Sequence, residues 1–291
     1  MQDAACWPSP AKLNLFLYIT GLRADGYHNL QTLFQFIDYC DYLYFKPRID
    51  NQIRLITDVK DVKHDDNLII KSANLLLEYA KKQGLVLPQI YGIDIAIDKK
   101  LPMGGGLGGG SSNAATTLVA LNHIWQLALS KQQLMAIGSK LGADVAVFIF
   151  GHSAFAEGIG DKLQAIKPIE NWYLIIKPDV AISTASIFTH PKLKRDSAIK
   201  NITQLLAKPF ANDCEPVVCQ LYPQIEYLIK LLSVKHPTRL TGTGSCIFCE
   251  CDSKEQALAL EQYLNQHLDA SSVESFIAKG INHSPLSQKM H

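Results

Sequence analysis

The sequence predicts an α+β protein, with an antiparallel sheet in its first half and helices and strands mixed through the rest. Three observations carry that expectation. Ala11, Leu13, Leu15, Leu17 and Ile19 alternate with Lys12, Asn14, Phe16 and Tyr18, the period of a β-strand. Residues 33–37, 42–46 and 53–57 follow as further short apolar runs. Residues 93–97 alternate again, then a glycine-rich loop leads into Ala114, Leu118, Leu121 and Trp125 at helical spacing.

Taken in order, residues 1–10 read as an extended lead-in, because Pro8 and Pro10 disfavour helix. The first strand follows, and Lys12 and Asn14, two residues apart on one face, can enter one site. Asp25-Gly26 marks a turn, and Tyr27 and His28 beside it either meet a ligand or lie over the core. His64, Asp65, Asp66 and Asn67 open a helix through Leu77 and Ala80; the acidic start suits the helix dipole better than it suits a metal. The helix after the glycine loop is expected to run to about residue 129, with Ser130 capping another to about residue 141. Two glycines in residues 154–160 suggest a soft domain junction. Beyond it, residues 172–176 read as a strand, 183–188 as a helix start and 217–232 as one helix. A small-residue loop at 241–245 precedes another strand, then come a helix at 255–267 and a final strand at 273–277.

Leu101-Pro-Met-Gly-Gly-Gly-Leu-Gly-Gly-Gly-Ser-Ser-Asn113 places six glycines within Gly104 to Gly110. Glycine lets the main chain approach a ligand and take positive φ. Ser111, Ser112 or Asn113 can cap the helix that follows. The free amides of its first turn, with roughly half a positive charge from the helix dipole, make an anion site suited to a phosphate chain. Gly104-x-Gly106-x-x-Gly109 matches a dinucleotide fingerprint by letter, but residues 127–131 offer no acidic ribose ligand. A P-loop would need a lysine where this loop reads Gly-Ser-Ser. A floppy linker would not sit between a patterned strand and a helix start.

Asp144 stands in an otherwise apolar run, where a buried carboxylate must be paired or hydrogen-bonded. It can serve as a helix cap, or pair with a cation such as Lys12 and form part of a site. Cys246-x-x-Cys249-x-Cys251 lacks a companion pair with zinc spacing and reads as a buried strand.

With 291 residues, 47% of them hydrophobic, the chain can form one large or two medium domains. A net charge of +1 gives no bulk attraction to nucleic acid or anionic membrane. No apolar run is long enough to span a bilayer, and the N-terminus lacks the pattern of a signal peptide. Seven cysteines without framework spacing point to a reducing, cytoplasmic setting.

Three separated segments, Pro10-Ala-Lys-Leu-Asn-Leu15, Pro102 to Ser112 and Leu240-Thr-Gly-Thr-Gly-Ser245, together resemble the motifs of the GHMP small-molecule kinases. Arg23-x-Asp-Gly-Tyr-His28, Phe34-Gln35, Gly142-Ala-Asp144, Asn212-Asp213 and Ala278-x-Gly-Ile281 through Ser284-Pro-Leu286 are similar to the branch that acts on 4-diphosphocytidyl-2-C-methyl-D-erythritol. Ala146 stands where that branch commonly has proline.

The resemblance implies an N-terminal ATP-binding domain at 1–156 and a ferredoxin-like substrate domain at 157–291. A deep cleft would lie between them, with the last strand packing back on the first domain. It implies transfer of the ATP γ-phosphoryl group to the substrate's 2-hydroxyl in the non-mevalonate isoprenoid route, with Mg²⁺ carried on ATP and no firm metal ligands. Lys12 and Asp144 would be catalytic. Pro102, Met103, Gly104, Gly105, Gly106, Leu107, Gly108, Gly109, Gly110, Ser111 and Ser112 would bind ATP, with Asn67 and Lys99 on the adenosine side. Tyr27 and Phe188 would stack on the cytosine, His28 would hydrogen-bond it, and Asn14 would lie near the acceptor. The expected partner is this small molecule alone, with no nucleic acid and no membrane, on a monomer or weak homodimer. Rival readings are a kinase for homoserine or mevalonate, a nucleotide- or RNA-binding module without catalysis, and a dehydrogenase.

Overall fold

Two long antiparallel strands, β1 (Ala5–Leu22) and β2 (His28–Pro47), form the spine of the structure, a computed structural model describing residues 4–59, 62–207, 209–268 and 273–290. Met1, Gln2 and Asp3 of the lead-in lie outside the described residues. From Ala5 the lead-in is already strand: Ala5 pairs with Phe45, and Pro10 sits beside a register shift, a position that tolerates proline in a sheet. The runs expected at 33–37 and 42–46 are one strand, because pairing with β1 resumes at Cys40 and Asp41 after a bulge at Asp38 and Tyr39.

The alternation of β1 is not strict. Asn14 pairs with Phe34 but Leu17 with Thr32, so β1 carries one extra residue there. The bulge changes which residues face the cavity: Lys12 and Asn14 line it before the bulge, and Leu17 lines it after. Phe16 is instead fully buried.

β3 (Ile53–Leu55) is shorter than the expected 53–57. His64–Asp66 forms a 3₁₀ turn, and Asn67 then caps α1 (Leu68–Lys82), its Oδ1 accepting from the Ile69 N–H at 2.9 Å. β4 (Ile93–Asp98) pairs antiparallel with β2 and parallel with β3. α2 (Gly109–Ile124) starts at Gly108, in the left-handed conformation, and not at a serine or asparagine cap. It ends before residue 129: Gln126 and Ala128 take positive φ, while the Asn122 side chain bonds the Leu129 N–H and C=O. α3 (Lys131–Gly138) has the expected Ser130 cap, completed as a capping box by Gln133. α4 (Val145–Phe150) begins immediately after Asp144.

β5 (Ala154–Glu157) and β6 (Lys162–Ala165) form a hairpin whose first strand pairs with β2. The division expected at 156/157 therefore falls within this hairpin. The second half comprises β7 (Trp172–Pro178), α5 (Thr184–Thr189), α6 (Ile202–Leu205), α7 (Glu215–Leu221), α8 (Pro223–Ser233), β8 (Thr238–Leu240), β9 (Ile247–Cys251), α9 (Lys254–His267) and β10 (Val273–Ile281). The single helix expected at 217–232 is two, parted at Tyr222, because Pro223 starts a new first turn more readily than it continues an old one. β9 is buried along its whole length, which accounts for Cys249 and Cys251 as packing residues; burial pushes both thiols up, to about 12 and about 11.

β10 joins the halves. It pairs with β7 from Val273 to Lys279, and its end pairs with β2 through Gly280–Ile37 and Ile281–Phe36. Among the described residues the strands form one sheet, β3-β4-β2-β10-β7-β9-β8, with β1 and the β5–β6 hairpin also on β2. Helices α1 to α4 bury a core that includes Leu76, Leu118, Trp125 and Phe148. α7 to α9 bury a second that includes Val218, Leu228 and Leu264. Burying a large apolar side chain in this way contributes about 1.5–3 kcal/mol.

Candidate active site

The mouth of α2 opens into a cavity of about 880 Å³ reached by both halves of the chain. Ser112 N–H makes the first helical bond, to Gly108 O at 2.8 Å, so the amides of Gly109, Gly110 and Ser111 precede the hydrogen-bonded helix. No acidic side chain sits in that first turn to compete for them. The positive end of a sixteen-residue helix thus faces the cavity.

Gly106 and Gly108 are sterically required in this loop. Gly106 has φ +76° and a Cβ there would come within 2.3 Å of Thr241 O. Gly108 has φ +75°, and its Cβ would meet the Phe148 ring at 2.7 Å and Lys12 Cε at 3.2 Å. The loop is also tied to the 241–245 loop of the second half: Ser245 N–H donates to Gly104 O at 3.2 Å and Cys246 N–H to Gly105 O at 3.1 Å.

Lys12 lies under the loop, 3% exposed. Its ammonium donates to Gly106 O at 2.9 Å and Asn14 Oδ1 at 2.6 Å, and stands 3.2 Å from Asp144 Oδ2. It also lies 5.4 Å from the centre of the Phe34 ring. Asn14 Nδ2 donates in turn to Thr32 Oγ1, which donates to Phe16 O, so a chain of bonds sets the position of Lys12. Asp144 is not the buried carboxylate that its apolar surroundings suggested: 35% of its side chain is exposed, on the cavity. It occupies the cap position of α4 without making a cap bond, which leaves the carboxylate to Lys12 and the cavity.

The glycine-loop residues from Pro102 to Ser111 line the cavity, as do Asn67 and Lys99. Ser112 does not: it is fully buried behind the loop, its Oγ accepting from Ser9 Oγ at 2.9 Å. Its position on α2, one residue past Ser111, turns it into the core, and Asn113 lines the cavity nearby. Lys99 is paired with Asp41 at 2.5 Å, and Asn67 is engaged as the α1 cap.

At the other end stand Tyr27, His28 and Phe188. Tyr27 is 60% exposed. The Phe188 ring lies 5.0 Å from that of His28, tilted by 31°. Burial and the nearby Arg195 guanidinium hold His28 below the ordinary histidine pKa.

Several residues of this region escape a sequence reading. Asp41, fully buried, accepts from Lys99, from the Lys100 and Leu101 amides at 2.8 and 2.7 Å, and from Asn113 at 3.0 Å, and so anchors the start of the glycine loop. Its signal was available: an acidic residue inside a buried strand, as informative as Asp144. Thr241 Oγ1 accepts from the Asn14 N–H at 3.0 Å, and the Thr184 and Thr243 hydroxyls lie 2.9 Å apart. Arg195 bonds His28, yet in Lys192-Leu-Lys-Arg195 nothing distinguishes it from a solvated charge.

Comparison with known proteins places the chain in a family. The family model of the GHMP kinases N-terminal domain matches residues 67–152 and that of the GHMP kinases C-terminal domain matches 192–270, more than half of the chain between them. A crystal structure of 4-(cytidine 5'-diphospho)-2C-methyl-D-erythritol kinase is similar at TM-score 0.79 and 24% identity, over 95% of this chain and 99% of that one. Homoserine kinase from Cytophaga hutchinsonii follows at 0.69 and 18%, over 98% and 97%. The mevalonate kinase of Methanococcus jannaschii gives 0.67 and 17%, over 97% and 99%. These likenesses show a shared fold. A glycine-lined helix mouth facing a lysine–aspartate pair, on a chain matched by both domain models, identifies the protein as a member of the GHMP kinase family, a phosphotransferase that acts on a small molecule.

Proposed function

We propose that the chain phosphorylates 4-diphosphocytidyl-2-C-methyl-D-erythritol on its 2-hydroxyl, using ATP and releasing ADP. The observation that carries the reading is Lys12 Nζ, 2.9 Å from Gly106 O and 3.2 Å from Asp144 Oδ2, at the mouth of α2. Phosphoryl transfer asks mainly for alignment and charge neutralisation. The amides of Gly109, Gly110 and Ser111 would hold the phosphate chain. Lys12 would offset charge on the transferring group, and Asp144 would orient the acceptor hydroxyl and take its proton. The acceptor oxygen bonds to the γ-phosphorus as the bridging P–O bond breaks, and ADP leaves with that electron pair. Because the transition state is loose, Asp144 acts more as a positioner than as a strong base.

Mg²⁺ would travel with ATP and neutralise charge on its phosphate oxygens. Ser111 and Asp144, which line the cavity, carry hard oxygen donors that suit such an ion. Among the described residues no cluster of three or more His, Cys, Asp or Glu could hold a metal ion.

Tyr27, His28 and Phe188 support the cytidyl end of the reading: aromatic faces around a base contribute about 1–3 kcal/mol each. We assign the glycine loop and helix mouth of the first half to ATP, and Asn14, Tyr27 and His28 together with Phe188 of the second half to the acceptor. A cytoplasmic setting and a monomer or weak dimer complete the reading. Among the described residues no helix is long and apolar enough to cross a membrane. The test is an acceptor panel with ADP detection, offering the cytidyl substrate, homoserine and mevalonate. ADP formed with the cytidyl substrate alone supports the reading; ADP formed with homoserine or mevalonate replaces it.

A further inference from the structure

We propose that Arg195 is a positioning residue: it pins the His28 imidazole as the tautomer protonated at Nδ1, so that this end of the cavity presents a fixed N–H donor. Arg195 Nε lies 3.1 Å from His28 Nε2. A guanidinium can only donate, so Nε2 must be the accepting nitrogen, and the proton of the neutral ring must sit on Nδ1. A protonated ring would turn two donors on each other. Burial and the Arg195 charge, which lower the His28 pKa, act in the same direction.

The arginine cannot easily swing away. Its Nη1 donates to Leu193 O at 3.1 Å, and its Nη2 to Phe188 O at 2.7 Å and His190 O at 2.9 Å. Phe188 lies in the last turn of α5 and His190 follows it, so one guanidinium sets both the aromatic wall and the ring that packs on it. His28 is 8% exposed and lines the cavity, and among the described residues its Nδ1 makes no hydrogen bond. Nδ1–H is thus the ring group left for a guest.

A fixed donor selects a ligand edge that carries an acceptor. Cytosine places two acceptors side by side, N3 and O2; uracil interrupts the same edge with N3–H. For the identity of the guest the inference rests on the cytidyl reading above; for the tautomer it does not.

Two measurements on the full-length protein test it. In nitrogen-15 imidazole spectra at neutral pH, with His28 assigned through His28→Asn, the wild type should show Nδ1 protonated and Nε2 bare. An Nε2–H or doubly protonated ring in the wild type overturns the proposal without any arginine variant. Arg195→Met should release the ring to a tautomer mixture, and Arg195→Lys, which keeps one donor but not the fork, should restore Nδ1–H in part. An unchanged tautomer in folded Arg195→Met also overturns it. If the methionine variant does not fold, the wild-type and lysine spectra decide.

The second measurement is competition by CDP and UDP. CDP should bind the wild type about tenfold more tightly, and Arg195→Met should erase most of that preference, the size expected for one hydrogen bond. His28→Asn, which retains an N–H near the Nδ1 position, should keep more of the preference than His28→Ala. A Nδ1–H tautomer with no CDP binding would sink the cytidyl reading while leaving the role of Arg195 intact.

Discussion

The Lys12 ammonium stands 3.2 Å from the Asp144 carboxylate although one side chain is 3% exposed and the other 35%. The lysine is the held member of the pair, fixed by Asn14 and Gly106; the aspartate is the member open to the cavity. That asymmetry suits a cation that stays still and a carboxylate that meets the acceptor.

Replacing either should stop the chemistry and spare nucleotide binding. Lys12→Ala and Asp144→Ala are expected to lower kcat about a thousandfold or more, within the range seen for positioned acid–base groups. ATP affinity, measured by titration calorimetry, should stay near that of the wild type. Lys12→Arg should fail as well, since the planar fork does not fit a site built around one compact ammonium. Near-normal turnover in a folded variant would remove that residue from the reaction.

Gly108→Ala tests the helix mouth. The added methyl would meet Phe148 at 2.7 Å on a backbone at φ +75°, and would press on Lys12 Cε. The expected result is a KM for ATP raised about tenfold or more with kcat reduced, because a small misplacement of aligned groups is costly. Unchanged kinetics would show that the loop adopts another path around ATP.

Asp41→Ala should cost about 3–5 kcal/mol in urea unfolding, because Lys99 loses a fully buried partner and two backbone amides lose their acceptor. ATP binding should weaken along with stability, since Asp41 anchors the start of the glycine loop. A loss below about 1 kcal/mol would mean that water replaces the carboxylate there.

Tyr27→Ala should raise KM for the cytidyl substrate about tenfold, in line with one lost stacking face, and leave KM for ATP alone. If both constants stayed put, the exposed ring would have no part in binding.

One part of the pH dependence of folding follows from His28, whose folded pKa lies below the ordinary value of about 6.5. At pH values between the two, the unfolded chain binds the extra proton and the folded ring does not. The stability supplied by keeping the ring neutral is therefore complete above about pH 6.5 and is lost as the pH falls through the folded value. His28→Asn should flatten that part of the stability curve, measured by urea unfolding at stepped pH. An identical acid dependence in both proteins would show that His28 carries no protonation difference.

Much of this protein was determined by short stretches of its own sequence. The strand, glycine loop and helix order at 93–124, the Ser130 cap and the buried cysteine strand follow from alternation, helical period and cap chemistry. Such signals depend on neighbours a few residues apart, so they survive without knowledge of the rest of the chain. Lys12 and Asp144 could be nominated from the residues and the family resemblance, but their 3.2 Å separation could not. Other features were decided only when distant segments met. The bulge between Asn14 and Leu17 exists because β2 pairs one residue out of step, and it changes which side chains face the cavity. Ser112 turned inward onto Ser9, Asp41 found Lys99 and Asn113, and Arg195 found His28. The reason is geometric: register and packing direction set which charged or polar side chain meets which, and a strand or helix can hold its local pattern under many registers while few of them pair the buried polar groups.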